Sequence, residues 1–585
     1  MRRVRSNLFV VPALGAVVTA LLAAPIGCGD AEPQPNIPQV TAAPSAPPPP
    51  SASAVEAPKP APPTPHKYAV ATENATASRA AMDVLEKGGN AVDAAIAAVL
   101  TVGVAQPVSS GLGGGGFAMV WDAKKKELTV LDFREVAPMG LKPKDLAKRP
   151  EPEDKRGAAF GVPGEVAGIV AMHERWGKLA FADDVRVAAD TADKGFPVSA
   201  HLARALKWFE AWVTKTPRYP IFAPGGALAA PGTIVKNPAL AATLRRIAAE
   251  GKAAFYEGSV AKDILATARS AGSAMTEAEL KGYKPVERAP LKTPWEGYEI
   301  ATMPPPSAGG LYVLETLHMH TKAELAALGF GTGAYDHLLA ETLRGCIADR
   351  VRAIGDPAFV KMDVAALASP ARMKARRAHI SMTATTPPEK FPLVESGTSH
   401  IVVVDADGDV VSMTSTINNP FGAKLPTAGG FLLNDELNDF TTEKVAKLFG
   451  EAKPPNAPRG GARPVSSMTP TMVFKDGQPV FALGGSGGMR IATGVPQVLL
   501  AHLVFGRSAA QAVADPRFEV PAMGGIVLDD ASPALVTDLK ARGEAVETGK
   551  INFSGVQAIA IGEEGGVRRL DAGADPRKGG SALVE

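Results

Sequence analysis

A glycine–threonine pair stands in front of a run of β-branched residues in this sequence. Gly397 and Thr398 precede Ile401 to Val404, a pattern that predicts a buried strand. A threonine hydroxyl becomes an effective nucleophile when the free α-amine of the same residue serves as its base. Such an amine has a pKa of about 8, so a useful fraction is neutral near neutral pH. Cleavage before Thr398 would create this amine, and Gly397, which lacks a Cβ, tolerates the strained backbone that such a cut needs.

Arg134 is a second residue whose chemistry stands out, in the segment Leu131 to Pro138. A planar guanidinium binds both oxygens of a carboxylate at once. Taken alone, the neighbouring residues favour an internal ion pair of Arg134 with Asp132 or Glu135. Taken alone, the glycine–threonine pair is likewise typical of an ordinary loop-to-strand junction.

The sequence on both sides predicts the elements that must position the threonine. Asp407-Gly408 predicts a tight turn and Val410 to Thr416 a second strand, so Thr398 stands at the mouth of a hairpin. Helical spacing predicts helices over Ala75 to Lys87 and from Asn90 to about Val102.

A glycine-rich segment, Ser109 to Phe117, raises the possibility of a phosphate-binding loop. No Gly-Lys-[Ser/Thr] follows it, and Phe117 to Trp121 is typical of a strand rather than a helix. The glycines therefore indicate close backbone packing.

The residues around Thr398 closely resemble the γ-glutamyltranspeptidase family. Its members are N-terminal-nucleophile hydrolases, made as one chain that cleaves itself into a large and a small subunit. The resemblance extends from about Tyr68 to Arg577. The blocks that carry it are 87–95, 109–117, 131–138, 161–164, 255–258, 283–290, 303–310, 398–400, 405–408, 414–418, 421–422, 432–440, 463–470 and 484–490.

The resemblance assigns catalytic roles to four residues. Thr398 takes the place of the nucleophile, and Thr416 that of the threonine that hydrogen-bonds to it. Gly487 and Gly488 take the place of the oxyanion hole, where backbone N–H groups approach the developing charge closely.

The resemblance also implies a site for the α-amino acid head of a γ-glutamyl substrate. Arginine and hydroxyl donors suit its α-carboxylate, and amide and carboxylate oxygens suit its α-ammonium. The implied residues are Arg134, Ser466 and Ser467 for the carboxylate, and Asn418, Glu436 and Asp439 for the ammonium.

Two places depart from the family pattern. Ser486 stands where members have proline, directly before the oxyanion glycines. The segment 441–461 is predicted to be a loop, and Phe449 within it corresponds to the aromatic residue that covers the nucleophile in some members.

The implied fold is α+β, the four-layer αββα sandwich of N-terminal-nucleophile hydrolases. A large subunit (66–397) and a small subunit (398–585) would form it jointly as a heterodimer, after self-cleavage between Gly397 and Thr398. The implied activity is that of a γ-glutamyltransferase and glutathione hydrolase, which passes the γ-glutamyl group of glutathione or a related compound to water or to an amino acid or peptide. Neither a cofactor nor a metal is implied.

Two other functions remain open. An acylase of the same fold, acting on β-lactam side chains or poly-γ-glutamate, would use the same nucleophile. The intact residue set for an α-amino acid head argues against it. The non-enzymatic alternative is a lipid-anchored surface protein that keeps the fold but does not process itself.

The N-terminus predicts export. Arg2, Arg3 and Arg5 precede an apolar run from Leu8 to about Ile26, which predicts a signal peptide over residues 1–27. Cys28 directly afterwards predicts lipidation, and the Pro- and Ala-rich residues 28–65 predict an extended tether. We expect a membrane-anchored protein on the periplasmic or cell-surface side. A plain secretory peptide and an uncleaved anchor are the alternatives.

Composition limits the possible partners of the 585-residue chain. A net charge of +2 gives no electrostatic case for nucleic acid. Two cysteines exclude a disulfide framework and a cysteine-based zinc site, and Cys346, within a predicted helix from Leu343 to Ile354, is expected to be a buried apolar residue. His318 and His320, two residues apart, would not share a helix face, so a metal site is not expected there.

Overall fold

The computed structural model describes residues 64–146, 153–216, 219–386, 397–520, 525–549 and 554–585. The predicted signal peptide, Cys28 and nearly all of the predicted tether lie outside these ranges, as does the stretch 387–396 before Gly397. Within the described ranges, no helix combines the length and the apolar character needed to cross a membrane.

The fold is a mixture of helices and mainly antiparallel sheets, with β14 and β15 forming a parallel pair, which is the α+β class expected. Its strands are β1 Ala69–Thr72, β2 Gly115–Asp122, β3 Glu127–Phe133, β4 Phe196–Pro197, β5 Ile234–Val235, β6 Val286–Arg288, β7 Leu291–Trp295, β8 Tyr298–Thr302, β9 Ser399–Val404, β10 Val410–Thr416, β11 Thr471–Lys475, β12 Gln478–Ser486, β13 Phe518–Glu519, β14 Ile526–Leu528, β15 Val546–Thr548, β16 Gly555–Glu564, β17 Val567–Ala574 and β18 Ser581–Val584. Its helices are α1 Ala75–Glu86, α2 Ala91–Ala105, α3 Pro143–Leu146, α4 Glu165–Trp176, α5 Phe181–Lys194, α6 Ala200–Trp208, α7 Glu210–Val213, α8 Pro238–Glu250, α9 Lys252–Tyr256, α10 Gly258–Ser270, α11 Glu277–Lys281, α12 Gly309–Met319, α13 Lys322–Leu328, α14 Gly333–Ala353, α15 Val364–Leu367, α16 Pro370–His379, α17 Glu443–Leu448, α18 Arg490–Phe505, α19 Ala509–Ala514 and α20 Pro533–Ala541.

The predicted hairpin after Thr398 lies inside a seven-stranded sheet, in the order β18-β1-β9-β10-β2-β3-β6. Strands β9 and β10 pair antiparallel with Val404 opposite Val410, as the tight turn at Asp407-Gly408 requires. Strand β1 covers the outer edge of β9, and β2 covers that of β10. Strands from the parts of the chain before and after Thr398 therefore pair with each other in one sheet. Hydrogen bonds between them would hold the two parts together after a cut.

A six-stranded sheet, in the order β17-β16-β12-β11-β8-β7, carries the glycine-rich end of β12. Strand β9 contributes to two hydrophobic cores, because Ile401 and Val403 belong to the cluster with α1, α2 and α5, whereas Val402 and Val404 pack in the cluster with β12 and α18. Burial on both faces explains why this strand reads as an unbroken β-branched run.

The two predicted N-terminal helices are confirmed. Asn74 caps α1, and Asn90 and Asp93 form a capping box at the start of α2. Helix α2 continues three residues beyond the predicted end at Val102, to Ala105. Helix α2 is buried along its whole length, so its packing outweighs the low helix propensity of Gly103.

One prediction about the chain after Thr398 needs correction. The segment 441–461 is not only a loop, because helix α17 occupies Glu443–Leu448 within it. Phe449 directly follows α17 and is 4% exposed, packed in the same hydrophobic cluster as β12 and α18. Phe449 is thus a buried core residue.

Candidate functional site

Thr398 stands at the entrance to β9 with its backbone under strain. Its φ is +124°, a region that a β-branched residue avoids. Its N–H donates to the carbonyl oxygen of Ser109 at 3.0 Å. The side chain is held as well, because its Oγ1 lies 3.1 Å from Oγ1 of Thr416. The sequence-predicted pair of threonines is therefore brought into hydrogen-bond contact.

Gly397 is needed for a reason other than the predicted one. A Cβ at this position would lie 1.9 Å from the carbonyl oxygen of Asn418. The close approach of two backbones excludes every side chain, while the strained φ belongs to Thr398. Strain is thus stored in the residue that follows the predicted cleavage point.

Asn418 links the nucleophile to the predicted substrate residues. Its N–H donates to Thr416 Oγ1 at 2.8 Å, and its side-chain Nδ2 donates to the carbonyl oxygen of Asp435 at 3.1 Å. Because the amide nitrogen is engaged with the backbone, Oδ1 is the atom suited to accept from an ammonium. Asp435 directly precedes Glu436. A chain of hydrogen bonds therefore runs from the two threonines through Asn418 to the segment that carries the predicted amine-binding residues.

Arg134 is surrounded by three acidic residues, Glu135, Glu436 and Asp439. We call these four residues the Arg134 cluster. The Arg134 side chain is 1% exposed, its Nη1 donates to Glu436, and its Nη2 donates to Asp439 Oδ2 at 2.6 Å. Its Nε donates to the carbonyl oxygen of Pro464 at 3.2 Å, next to the segment that carries Ser466 and Ser467. The structure therefore places both halves of the predicted α-amino acid site around one guanidinium.

The internal ion pairs that the residues alone favoured for Arg134 are not its main contacts. Asp132 accepts from the Arg134 backbone N–H, and its carboxylate pairs with Arg288 Nε at 2.7 Å. Glu135 is 3.9 Å from the Arg134 guanidinium. Residues distant in sequence hold the side chain instead, which local sequence could not indicate.

The acids of the Arg134 cluster outnumber its single cation. Burial raises the pKa of Glu135 to about 8, against the opposing effect of Arg134. Burial also raises the pKa of Glu436 well above its ordinary value. An additional cation bound beside these carboxyls would favour their ionised forms. The cluster can thus accept an ammonium, while Arg134 can accept a carboxylate.

Ser466 and Ser467 are held by a neighbouring loop and a helix. The Ser466 N–H donates to the carbonyl oxygen of Pro306 at 2.9 Å, and Ser466 pairs with Ser307 in an isolated bridge. The Ser467 hydroxyl accepts from Nη1 of Arg350, a residue of α14 that is 8% exposed. Sequence reasoning missed Arg350, because α14 carries several charged residues and its local pattern does not single this one out.

Gly487 and Gly488 form the turn between β12 and α18. Their φ values are +115° and +63°, which favour glycine. They lie just before the N-terminus of α18, where the helix dipole favours negative charge. Strand β12 packs directly against the start of β9, since a Cβ at Gly484 would lie 2.2 Å from the ring of His400. The predicted oxyanion turn and the predicted nucleophile thus belong to adjoining strands.

Lys578 connects these two strands, and sequence reasoning missed it. Its Nζ donates to the carbonyl oxygen of Thr398 at 2.7 Å and to Ser486 Oγ at 2.9 Å. It also pairs with Glu73 Oε2 at 2.8 Å. Thr398, Ser486 and Glu73 are distant from Lys578 in sequence, so no local sequence pattern predicts these contacts.

A possible metal-binding group in the described part of the chain consists of Asp93, His173 and Asp184, with ligand atoms within 4.8 Å of one another. Two of its members have protein partners: Asp93 accepts from the backbone N–H groups of Lys178 and Leu179, and His173 Nε2 donates to the Leu179 carbonyl at 2.8 Å. Burial and the nearby Asp93 raise the pKa of Asp184 to about 9, so Asp184 is protonated at neutral pH.

Comparisons with known proteins agree on the kind of protein. The family model described as Gamma-glutamyltranspeptidase matches residues 77–585. The chain is 34% identical to the glutathione hydrolase proenzyme of Bacillus subtilis (strain 168) over 542 residues, covering 88% of this chain and 91% of that protein. It is also 34% identical to the Acylase ACY 1 proenzyme of Pseudomonas sp. (strain V22), covering 85% of this chain and 90% of that one. In fold, it is similar to the cephalosporin acylase from Bacillus halodurans, with a TM-score of 0.77 at 24% identity, over 91% of this chain and 98% of that one.

Proposed function

The chain belongs to the γ-glutamyltranspeptidase family, and from this premise we propose that it cleaves itself before Thr398 and then transfers γ-glutamyl groups. Self-cleavage begins when Thr398 Oγ1 attacks the carbonyl carbon of Gly397. The peptide C–N bond breaks, its nitrogen becomes the α-amine of Thr398, and water hydrolyses the resulting ester. The strained φ of Thr398 and its contact with Thr416 support this step.

The mature Thr398 then attacks the γ-carbonyl of a γ-glutamyl compound, with glutathione as the proposed donor. The α-amine accepts the hydroxyl proton, and the amides of Gly487 and Gly488 bind the oxyanion. The leaving amine departs, and the γ-glutamyl ester on Thr398 passes to water or to an amino acid or peptide. The protein's own groups supply the nucleophile, the base and the oxyanion donors.

The observation that carries the proposal is the charge composition of the Arg134 cluster. Arg134 is the cation of the cluster, and its Nε donates to the carbonyl oxygen of Pro464, next to the segment that carries Ser466 and Ser467. Three carboxyl side chains face this one cation, and Asn418 approaches from the nucleophile side. A zwitterionic α-amino acid head complements both features at once.

An acylase function is the second candidate, supported by the similarity to the Pseudomonas acylase proenzyme. A substrate without an α-amine would leave the excess acids of the Arg134 cluster uncompensated. Relative kcat/KM on glutathione and on a glutaryl amide that lacks the α-amine separates the two functions. We expect glutathione to be preferred by at least about 100-fold, because hydrogen bonds to charged groups contribute about 1.5–3 kcal/mol each.

The processed enzyme is proposed to be a heterodimer of residues 66–397 and 398–585 in a four-layer αββα sandwich. The alternation of strands from both parts in one sheet supports it. The N-terminal sequence further supports export and lipid anchoring at Cys28. Mass spectrometry of the N-terminal peptide, with an acylated Cys28 as the expected result, tests the anchor.

Denaturing electrophoresis of the purified full-length protein is the direct test of self-cleavage. We expect two bands, with the smaller band beginning at Thr398 by N-terminal sequencing. Thr398→Ala should give one uncut band and no glutathione turnover, while Ser399→Ala serves as the neighbouring control that keeps both. One uncut band from folded wild-type protein would overturn the mechanism and favour a non-enzymatic surface protein.

A further inference from the structure

The Lys578 side chain is fully buried, and its ammonium is shared among three parts of the fold. Its three acceptors are the Thr398 carbonyl oxygen, Ser486 Oγ and Glu73 Oε2, at 2.7, 2.9 and 2.8 Å. The first two contacts are hydrogen bonds and the third is an ion pair, so the ammonium is both hydrogen-bonded and matched by an opposite charge. The acceptors come from the start of β9, the end of β12 and the residue after β1.

The local sequence builds this placement. Lys578 ends a short 3-10 turn, Pro576–Lys578, that Asp575 caps by accepting from the Arg577 N–H at 3.0 Å. Gly579 continues with a φ of +74°. The aliphatic stem passes Gly555, where a Cβ would lie 3.3 Å from Lys578 Cδ. The turn and the small residue therefore direct one long side chain to the strand ends.

Net stability does not explain such a buried pair well. Removing a lysine and a glutamate from water costs more than their mutual attraction returns in many proteins, and apolar replacements of similar volume are often as stable. The Lys578–Glu73 pair does provide fixed geometry between three elements that are far apart in sequence.

From this geometry we infer that Lys578 is a positioning residue that sets the Thr398 nucleophile against the oxyanion turn. The inference rests on the proposed function. Its ammonium joins the carbonyl of Thr398 to Ser486, and Ser486 directly precedes Gly487 and Gly488. The distance between Thr398 Oγ1 and the two amides determines how well the tetrahedral intermediate is held.

Self-cleavage makes this contact more important. Before cleavage, peptide bonds hold Thr398 from both sides. In the uncut chain the Thr398 N–H donates to the Ser109 carbonyl oxygen, and after cleavage the link to Gly397 would be lost. The Lys578 hydrogen bond then fixes the carbonyl side of the same residue. The serine at 486 contributes a side-chain hydroxyl that a proline there would not have.

The test uses Lys578→Met in the full-length protein, which keeps the length of the stem and removes the charge and its donors. We expect kcat on glutathione, per processed molecule, to fall by about 10-fold or more with KM changed less than about 2-fold, because small misplacements of reacting groups are costly. Ser486→Ala removes one of three acceptors and should lower kcat by about 2- to 5-fold. Ser486→Ala removes only one hydroxyl group, so it still tests the inference if Lys578→Met does not fold.

Arg344→Met is the matched control. Arg344 is also a largely buried cation, paired with Glu544 at 3.0 Å, and it touches none of the proposed site residues in the contacts described. A loss of thermal stability without a loss of kcat is expected for this variant. A purely structural Lys578 would give the same result as Arg344.

The outcomes separate the inference from the proposed function. Wild-type protein that neither cleaves itself nor turns over glutathione overturns the proposed function. An active wild type with unchanged kcat in both Lys578→Met and Ser486→Ala overturns the positioning role alone, and so does a rise in KM at constant kcat. A folded Lys578→Met protein that stays uncut supports the role, because Thr398 is then misplaced before cleavage as well.

Discussion

Two charge clusters lie beside the strands that carry Thr398 and Thr416, and their charges are balanced differently. Lys578 pairs with one carboxylate, Glu73, and its remaining donors go to neutral oxygens. The Arg134 cluster sets one guanidinium among three carboxyl groups. The first cluster sets one cation against one carboxyl group, whereas the second has an excess of acid.

This difference separates positioning from binding. A cluster in which one cation faces one carboxyl group is balanced in charge, and it fixes the geometry of the groups that the cation contacts. Burial raises the pKa of Glu135, with a smaller contribution from the neighbouring Asp439, so the second cluster gains from a cation that arrives from outside. Substitutions in the first cluster should therefore change kcat, and those in the second should change KM.

The largest effect is expected at the cation of the Arg134 cluster. Arg134→Met leaves its acids without their protein cation and removes the proposed carboxylate donor. Breaking a buried pair costs about 3–5 kcal/mol, so kcat/KM on glutathione should fall by more than about 100-fold. Steady-state kinetics on the processed protein measures it.

Arg376→Met, which removes a cation that pairs with Glu315 at 2.9 Å, is the control for general destabilisation. Equal losses of kcat/KM in Arg134→Met and Arg376→Met would show that the Arg134 cluster is structural and not a binding site.

A carboxyl-to-amide change in each cluster compares them directly. Asp439→Asn should raise KM for glutathione by about 10- to 100-fold, since a hydrogen bond between charged groups is lost. Glu73→Gln leaves Lys578 without its counter-charge and should lower kcat by about 10-fold at nearly constant KM. Parallel changes of kcat and KM in the two variants would remove the distinction between the clusters.

The glutaryl amide without an α-amine sharpens this pair of variants. Asp439→Asn should leave kcat/KM on that substrate nearly unchanged, because no ammonium is present to lose a partner. Glu73→Gln should lower it as much as it lowers turnover of glutathione. Rates on both substrates, measured with the same preparations, decide the point.

Local sequence predicted the hairpin and missed the contacts that cross the fold. The unbroken run Ile401 to Val404 indicated a strand buried on both faces, and β9 confirms it. The partners of Arg134 lie about 300 residues away, at Glu436 and Asp439, and only the family resemblance placed them together. Lys578 fits no motif, because three acceptors from separate elements define its role.

The position of strain and the fate of Phe449 show a second limit of sequence reasoning. Gly397 was expected to absorb strain, but the backbone of Asn418 excludes any Cβ there and the positive φ falls on Thr398. Phe449 matched a family lid by position, yet the helix α17 before it directs the chain so that its side chain is buried. Both outcomes depend on packing that the sequence does not spell out.

A smaller effect concerns pH. Burial raises the pKa of Glu165 to about 8, and its Oε2 accepts from the Ser415 hydroxyl at 2.9 Å. The folded state therefore keeps a proton that the unfolded chain loses above about pH 4.5, so this group's stabilising contribution declines as pH rises from about 5 to 8. Glu165→Gln, which mimics the protonated form, should raise Tm at pH 8 by about 2 °C and leave it unchanged at pH 5.

Glu135→Gln completes this comparison, because Glu135 has the same raised pKa but belongs to the Arg134 cluster. It should show a similar gain of Tm at pH 8 together with a higher KM for glutathione, whereas Glu165→Gln should change Tm only. Thermal melts at both pH values and KM at pH 8 are sufficient. A decrease of Tm in both variants at pH 8 would contradict the protonated assignment.

The smallest expected effect is at Arg350, which reaches the binding site through Ser467. Its guanidinium donates to the Ser467 hydroxyl and, at 3.4 Å, to the carbonyl oxygen of Val465. Arg350→Met frees the hydroxyl to rotate away from the substrate carboxylate, and we expect KM to rise by about 3-fold at constant kcat, which corresponds to about 0.6 kcal/mol.

A double-mutant cycle with Ser467→Ala isolates the path of this effect. If Arg350 acts only by orienting Ser467, the double variant will have the KM of Ser467→Ala alone. Additive effects would instead mean that Arg350 influences the carboxylate directly, as a second cation beside Arg134. The Arg134 cluster would then have a smaller excess of acid than its four residues indicate, and the contrast with the balanced Lys578–Glu73 pair would weaken accordingly.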